Sequence, residues 1–197
     1  AALYYREKTG KGQKIEVNLF HCLIAHQLQE FVTVLNAGRN FERPASGIGH
    51  PGIGAPFGIY KTSDGYVCIS VNPIKKLAEV LEDEGLVEFD DPQVLFDKRD
   101  ELFYRIESST VKKPTAYWVE KMLERDMWCS EVKTHLEVEQ DPQARHLQAF
   151  TTFRHPTAGE VKTVNIAVKF SETPGGIDRH PPMVGEHNEE IFREIGF

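Results

Sequence analysis

Cysteine is scarce in this sequence of 197 residues: Cys22, Cys68 and Cys129 stand far apart, and no two of them form a CxxC pair. An odd number at such separations does not make a disulfide framework, and without CxxC spacing there is no zinc knuckle. All three are expected to be reduced, small core residues. Basic residues are also short of the acidic ones, 23 against 30, giving a net charge of −7 and a pI near 5.6. Binding a polyanion needs clustered Lys and Arg that release counterions, so this balance argues against a nucleic-acid or anionic-membrane surface. No apolar run approaches a bilayer span and no signal peptide is visible at the start. A soluble, cytoplasmic protein is the expectation.

What is present points to an ordinary globular chain: 40% of residues are hydrophobic, enough for one large or two small domains. The opening "AALYYREKTGKG" is a helix-forming turn without an N-cap residue that stops at Gly10 and Gly12, so the chain is expected to be a fragment of a longer protein. "QKIEV" alternates like a short strand, Asn18 is placed to cap a helix, and Ile24, Leu28, Phe31 and Leu35 recur at helical spacing up to Gly38. That pattern predicts one long buried helix. "FGIYKT" and "YVCISV" predict a hairpin through Ser63-Asp64-Gly65, with Gly65 at positive φ, and Asn72-Pro73 predicts an N-capped helix burying Ile74, Leu77, Ala78 and Leu81.

Further helices are expected over 97–108 and 115–125, from Thr134 with its capping box "THLE", and at Asp141-Pro142. Strands around "PTAGE" and a closing helix with Ile191, Phe192 and Ile195 inward complete the reading.

The suspicious stretch is "SGIGHPGIGAP", residues 46–56. Gly47, Gly49 and Gly52 fit the spacing of a dinucleotide fingerprint, but that motif needs a strand before it and a helix after it, whereas a Pro-containing segment precedes this one and Pro56 with a strand follows. Two readings stay open: a flexible interdomain connection, or a mobile loop that closes over a reactive centre. His155, His180 and His187 lie near turns without the spacing of a helical metal site, so no metal is expected. Cys129, in "MWCSEV", has no neighbouring base and reads as a structural thiol. Trp118, Val119, Met122 and Leu123 form a helical core stripe.

Six segments in order, "AALYYREKTGKGQKIEVNLF", "APFGIYKTSDGYVCISV", "HLEVEQDPQARHLQAF", "HPTAGEV", "FSETPGG" and "VGEHNEEIFREIGF", together resemble the C-terminal half of the family III CoA-transferases, the CaiB/BaiF family. The resemblance implies an α/β plus α+β fold: a Rossmann-like large domain made from both chain ends, a small α+β domain in the middle, and an interlocked homodimer. On this sequence it gives residues 1–40 to a large-domain segment, 41–55 to a glycine-rich loop, 56–150 to the small domain, and 151–197 to a linker returning to the large domain.

The implied activity is transfer of coenzyme A between carboxylic acids through an aspartyl-CoA thioester. Coenzyme A is then a co-substrate, with no tightly bound cofactor and no metal. In the family the nucleophilic aspartate lies a short way before the "ALYYREKTGKGQ" segment, which puts it upstream of Ala1 and leaves no catalytic residue in this chain. The family's glycine loop aligns with Gly52, Ile53, Gly54 and Ala55 as substrate-binding residues, although Pro51 and Ile53 interrupt the glycines. An α-methylacyl-CoA racemase, or a non-catalytic dimerisation or binding module, is the alternative.

Overall fold

In the computed structural model, which describes all 197 residues, the two β-rich runs pair as the alternation predicts. β1 (Gly58–Lys61) and β2 (Tyr66–Ile69) are antiparallel with Gly58 opposite Ile69, and β3 (Cys129–Glu131) extends the sheet from the other edge of β2. Tyr60, Val67 and Ile69 are fully buried while Ile59 and Tyr66 face outward, as the two-residue period of a strand requires. The connection differs from expectation, for Gly65 is not at positive φ. Instead Thr62 closes the loop: its amide donates to the Gly65 carbonyl at 2.9 Å and its hydroxyl accepts the Gly65 amide at 3.0 Å. The Asp64 carboxylate takes the amide and hydroxyl of Thr115 at 2.8 and 2.9 Å, so a tie to a distant helix start shapes this turn.

Helices α6 (Arg99–Thr110) and α7 (Thr115–Leu123) cover the inner sheet face, and α4 (Ile74–Leu81) packs against both. Ile74, Leu77, Ala78 and Leu81 are buried as predicted, with Leu102, Phe103, Ile106, Trp118 and Met122. Leu123 is 58% exposed and drops out of the expected stripe. Asn72 does not cap α4, which Pro73 precedes without a side-chain cap. Its amide is used at longer range, donating to the carbonyls of Ser70 and Trp128 and accepting the Trp128 amide at 2.8 Å. A buried amide satisfied on both ends outweighs one exposed cap bond. The 3-10 turn Glu84–Phe89 and the short α5 (Pro92–Asp97) were not foreseen; Asp83 and Asp91 cap them.

Every buried hydrophobic residue lies between Ile48 and Met127. The N-terminal helices α1 (Ala2–Thr9), α2 (Leu19–His26) and α3 (Leu28–Ala37) bury none. Gly10 and Gly38 close α1 and α3 in the left-handed conformation, and Asn18 accepts the His21 amide, as predicted. The single long buried helix is corrected on two counts: it breaks at Gln27, whose amide turns back to Ile24 at three-residue spacing, and its apolar residues Leu28 and Leu35 are exposed. "QKIEV" forms no strand, because a strand needs a partner backbone and none lies beside it. Cys22 is exposed, not a core residue, and Cys68 and Cys129 are half-buried; all three are free thiols.

Two compact units result, Ala1–Glu131 and Val132–Phe197. The second holds α8 (His135–Gln140) with its full capping box, α9 (Pro142–His146) capped by Asp141, the hairpin of β4 (Phe150–His155) and β5 (Gly159–Val164), and α10 (Asn188–Glu194). Ile191, Phe192 and Ile195 are half or more exposed rather than inward, since periodicity marks an apolar face without supplying a surface to cover it. No helix is long and apolar enough to cross a membrane.

Truncating Ile106 to Ala should cost about 2–5 kcal/mol, because it empties a fully buried site. Leu23→Ala should stay within about 0.5 kcal/mol, since Leu23 is 60% exposed. Urea denaturation followed by tryptophan fluorescence separates the two, and equal costs would contradict the placement of the core.

Candidate functional site

The glycine stretch is anchored at its start by a side chain from a distant element. The Asp100 carboxylate, on the first turn of α6, accepts the amides of Ala45 and Ser46 at 3.1 and 2.9 Å together with the Ser46 hydroxyl. These bonds hold the Asp100 carboxyl below its ordinary value, the Ser46 hydroxyl contributing most. The backbone then runs antiparallel to β1: Ile48 bridges Gly58, and the Gly49 amide donates to the Phe57 carbonyl at 2.9 Å. Neighbouring Arg99 is buried, donating to the Glu42 and Phe96 carbonyls. The strand β1 follows the glycines and no helix does, so the dinucleotide arrangement is absent.

Within this frame the glycines serve close approach and not unusual φ: neither Gly52 nor Gly54 is at positive φ. A Cβ on Gly54 would lie 2.5 Å from the Leu95 carbonyl oxygen of α5, and one on Gly52 would lie 2.9 Å from the Phe41 ring edge. Ile53 donates its amide to the His50 carbonyl at 3.1 Å, and the side chain of Ala55 is buried before the cis bond to Pro56. The expected substrate-binding residues Gly52, Ile53, Gly54 and Ala55 thus form one tight turn packed on α5.

Two side chains that composition and spacing did not single out meet this turn. His50 Nε2 lies 2.9 Å from Glu30 Oε1 on α3, while His50 Nδ1 accepts the Gly52 amide at 3.0 Å. The bond from His50 draws the Glu30 carboxyl below its usual value. Phe41 meets the imidazole edge-on, with ring centroids 5.8 Å apart. No local signal could have found Glu30, Asp100 or Phe41, because each reaches the stretch from a separate part of the chain.

The remaining candidates fall elsewhere. His155 is occupied within its hairpin: Nδ1 accepts the Thr157 and Ala158 amides and Nε2 faces the Pro181 carbonyl at 3.2 Å. The His180 ring lies 5.2 Å from that of His155 and its Nε2 is 3.5 Å from Glu186. His187 lines a cleft of about 560 Å³ with Arg154, Asp178, Arg179 and His180. The chain shows no cluster of His, Cys, Asp and Glu suited to a metal ion. Burial pushes the Cys129 thiol up, which disfavours the thiolate a nucleophile needs.

The family model described as CoA-transferase family III matches residues 1–188. Among solved structures, a CaiB/BaiF family protein from Brucella suis is similar at 24% identity and TM-score 0.75, over 98% of this chain and 50% of that one. Rv3272 from Mycobacterium tuberculosis is similar at 20% identity and TM-score 0.74, over 95% of this chain and 50% of that one. The chain spans about half the length of these structures, and the likeness supports a mixed α/β fold with small sheets.

Gly54→Ala should be markedly more destabilising than Gly52→Ala. The first drives a methyl into backbone that cannot yield, at a cost of about 1–3 kcal/mol, whereas the second meets a ring that can turn aside. Chemical denaturation of the two variants provides the comparison, and the reverse order would contradict the packing on α5.

Proposed function

Because the chain belongs to CoA-transferase family III, we propose that it forms part of an enzyme that moves coenzyme A from an acyl-CoA to a free carboxylic acid. The match over residues 1–188 carries this reading. The nucleophile is an aspartate carried upstream of this chain in the parent protein, and the turn Gly52 to Ala55 lines the acyl site.

The aspartate carboxylate attacks the donor thioester carbonyl, expelling the CoA thiolate and leaving an acyl-aspartyl anhydride. The thiolate then attacks the aspartyl carbonyl of that anhydride, releasing the donor acid as its carboxylate and leaving an aspartyl-CoA thioester. The acceptor carboxylate displaces the thiolate to form a second anhydride, whose acyl carbonyl the thiolate attacks to give the new thioester and restore the aspartate. Both intermediates hydrolyse in water, so covalent catalysis of this kind needs a close-packed wall. The packing of Gly54 on the Leu95 carbonyl and the anchoring of Ser46 by Asp100 support a wall of that sort, rather than a freely swinging connection.

In this reading residues 56–150 form the small domain and residues 1–40 and 151–197 belong to the large domain of an interlocked homodimer. Concentration of the buried residues between Ile48 and Met127, against the exposed apolar faces of α2 and α3, supports setting residues 1–40 apart from the small domain. The rival from the same fold is an α-methylacyl-CoA racemase, and a non-catalytic dimerisation module is the rival from another class.

Incubating the full-length parent protein with an acyl-CoA and no acceptor should yield, by intact-protein mass spectrometry, a protein carrying coenzyme A on an aspartate. Hydroxylamine should discharge it. Absence of the adduct, with deuterium from heavy water entering the acyl α-carbon instead, would establish the racemase; absence of both would leave the module.

A further inference from the structure

The pair Glu30 and His50 does more than join α3 to the glycine stretch. A neutral imidazole has one N–H and one bare nitrogen, and which is which depends on its neighbours. Here the Glu30 carboxylate can only accept, so the proton sits on Nε2 and Nδ1 is left bare. That bare nitrogen is the acceptor for the Gly52 amide. Gly52 is the first residue of the turn assigned to the acyl site, and the space beside its α-carbon is taken by Phe41 and by His50 itself. Nothing within the turn replaces this bond, for the Ile53 amide goes to the His50 carbonyl.

We propose that Glu30 and His50 are a positioning pair for the glycine turn, in which Glu30 fixes the histidine tautomer so that Nδ1 holds the Gly52 amide in place. This role rests on the reading of residues 52–55 as the wall of the acyl site. Glu30 is the charged group in contact with His50, and Phe41 brings an uncharged ring edge. The Glu30 carboxyl, drawn below its usual value by the bond from His50, is the acceptor that keeps the proton on Nε2 and leaves Nδ1 to the Gly52 amide.

The test uses this chain alone and no substrate, so its failure is distinct from failure of the transferase reading. Amide exchange at Gly52, corrected for the intrinsic effect of pH, should quicken roughly three- to tenfold in His50→Ala and less in Glu30→Ala, the loss of one net hydrogen bond. His50→Asn is the discriminating variant: its side-chain oxygen can accept the amide two residues on without needing Glu30 to fix a tautomer. It should keep protection, and adding Glu30→Ala to it should change nothing further. Unchanged exchange in His50→Ala, or as large an effect of Glu30→Ala in the His50→Asn background as in the wild type, would overturn the proposal.

Discussion

The ring of Phe103 lies where the side chains of two other residues would be, and much of the first unit depends on that contact. A Cβ on Gly47 would come within 2.9 Å of it and one on Gly58 within 3.2 Å. With both positions bare, α6 settles onto β1, Phe103 stacks on Tyr60 at 4.4 Å between centroids, and Thr110 donates to the Lys61 carbonyl at the far end of the strand. The same seating brings Asp100 to the Ala45 and Ser46 amides. One close approach thereby fixes the inner sheet face, the helix that covers it and the entry to the glycine stretch, and core packing of this density leaves little room for adjustment.

From that anchor the stretch has few ways to go. It bridges β1 through Ile48 and Gly49, turns at His50, and returns over α5 at Gly54 before the sheet begins. Backbone approaches of this kind explain the wealth of glycine better than hinge freedom does, because none of Gly47, Gly49, Gly52 and Gly54 takes a conformation closed to other residues. The proposed acyl-site wall would gain from such constraint, since groups held in advance of reaction need no reorganisation during it.

The N-terminal helices show the opposite regime. α2 and α3 have caps at Asn18 and Gly38 and a clear apolar face, yet Leu19, Phe20, Leu28 and Leu35 remain exposed. Helices this short draw most of their stability from packing, so their local signals were easy to read while their burial was not. The C-terminal helix, with Ile191 and Phe192 exposed, repeats the lesson.

Local chemistry was enough for the features that a few neighbouring residues decide: the hairpin alternation around Tyr60 and Val67, the capping box at Thr134, the glycine stops at Gly10 and Gly38, and the apolar face of α4. The ordered series of family segments was legible for the same reason, being written in contiguous residues, and residues 1–188 match the family. Tertiary structure alone decided the rest. Asn72 left its expected cap for the Trp128 backbone, the Ser63–Gly65 turn took its shape from Thr115, and Glu30, Phe41 and Asp100 converged on the glycine stretch. Each of those outcomes turns on a hydrogen bond or a steric limit between residues distant in sequence, and periodicity and spacing carry no record of which distant groups the packed chain will bring together.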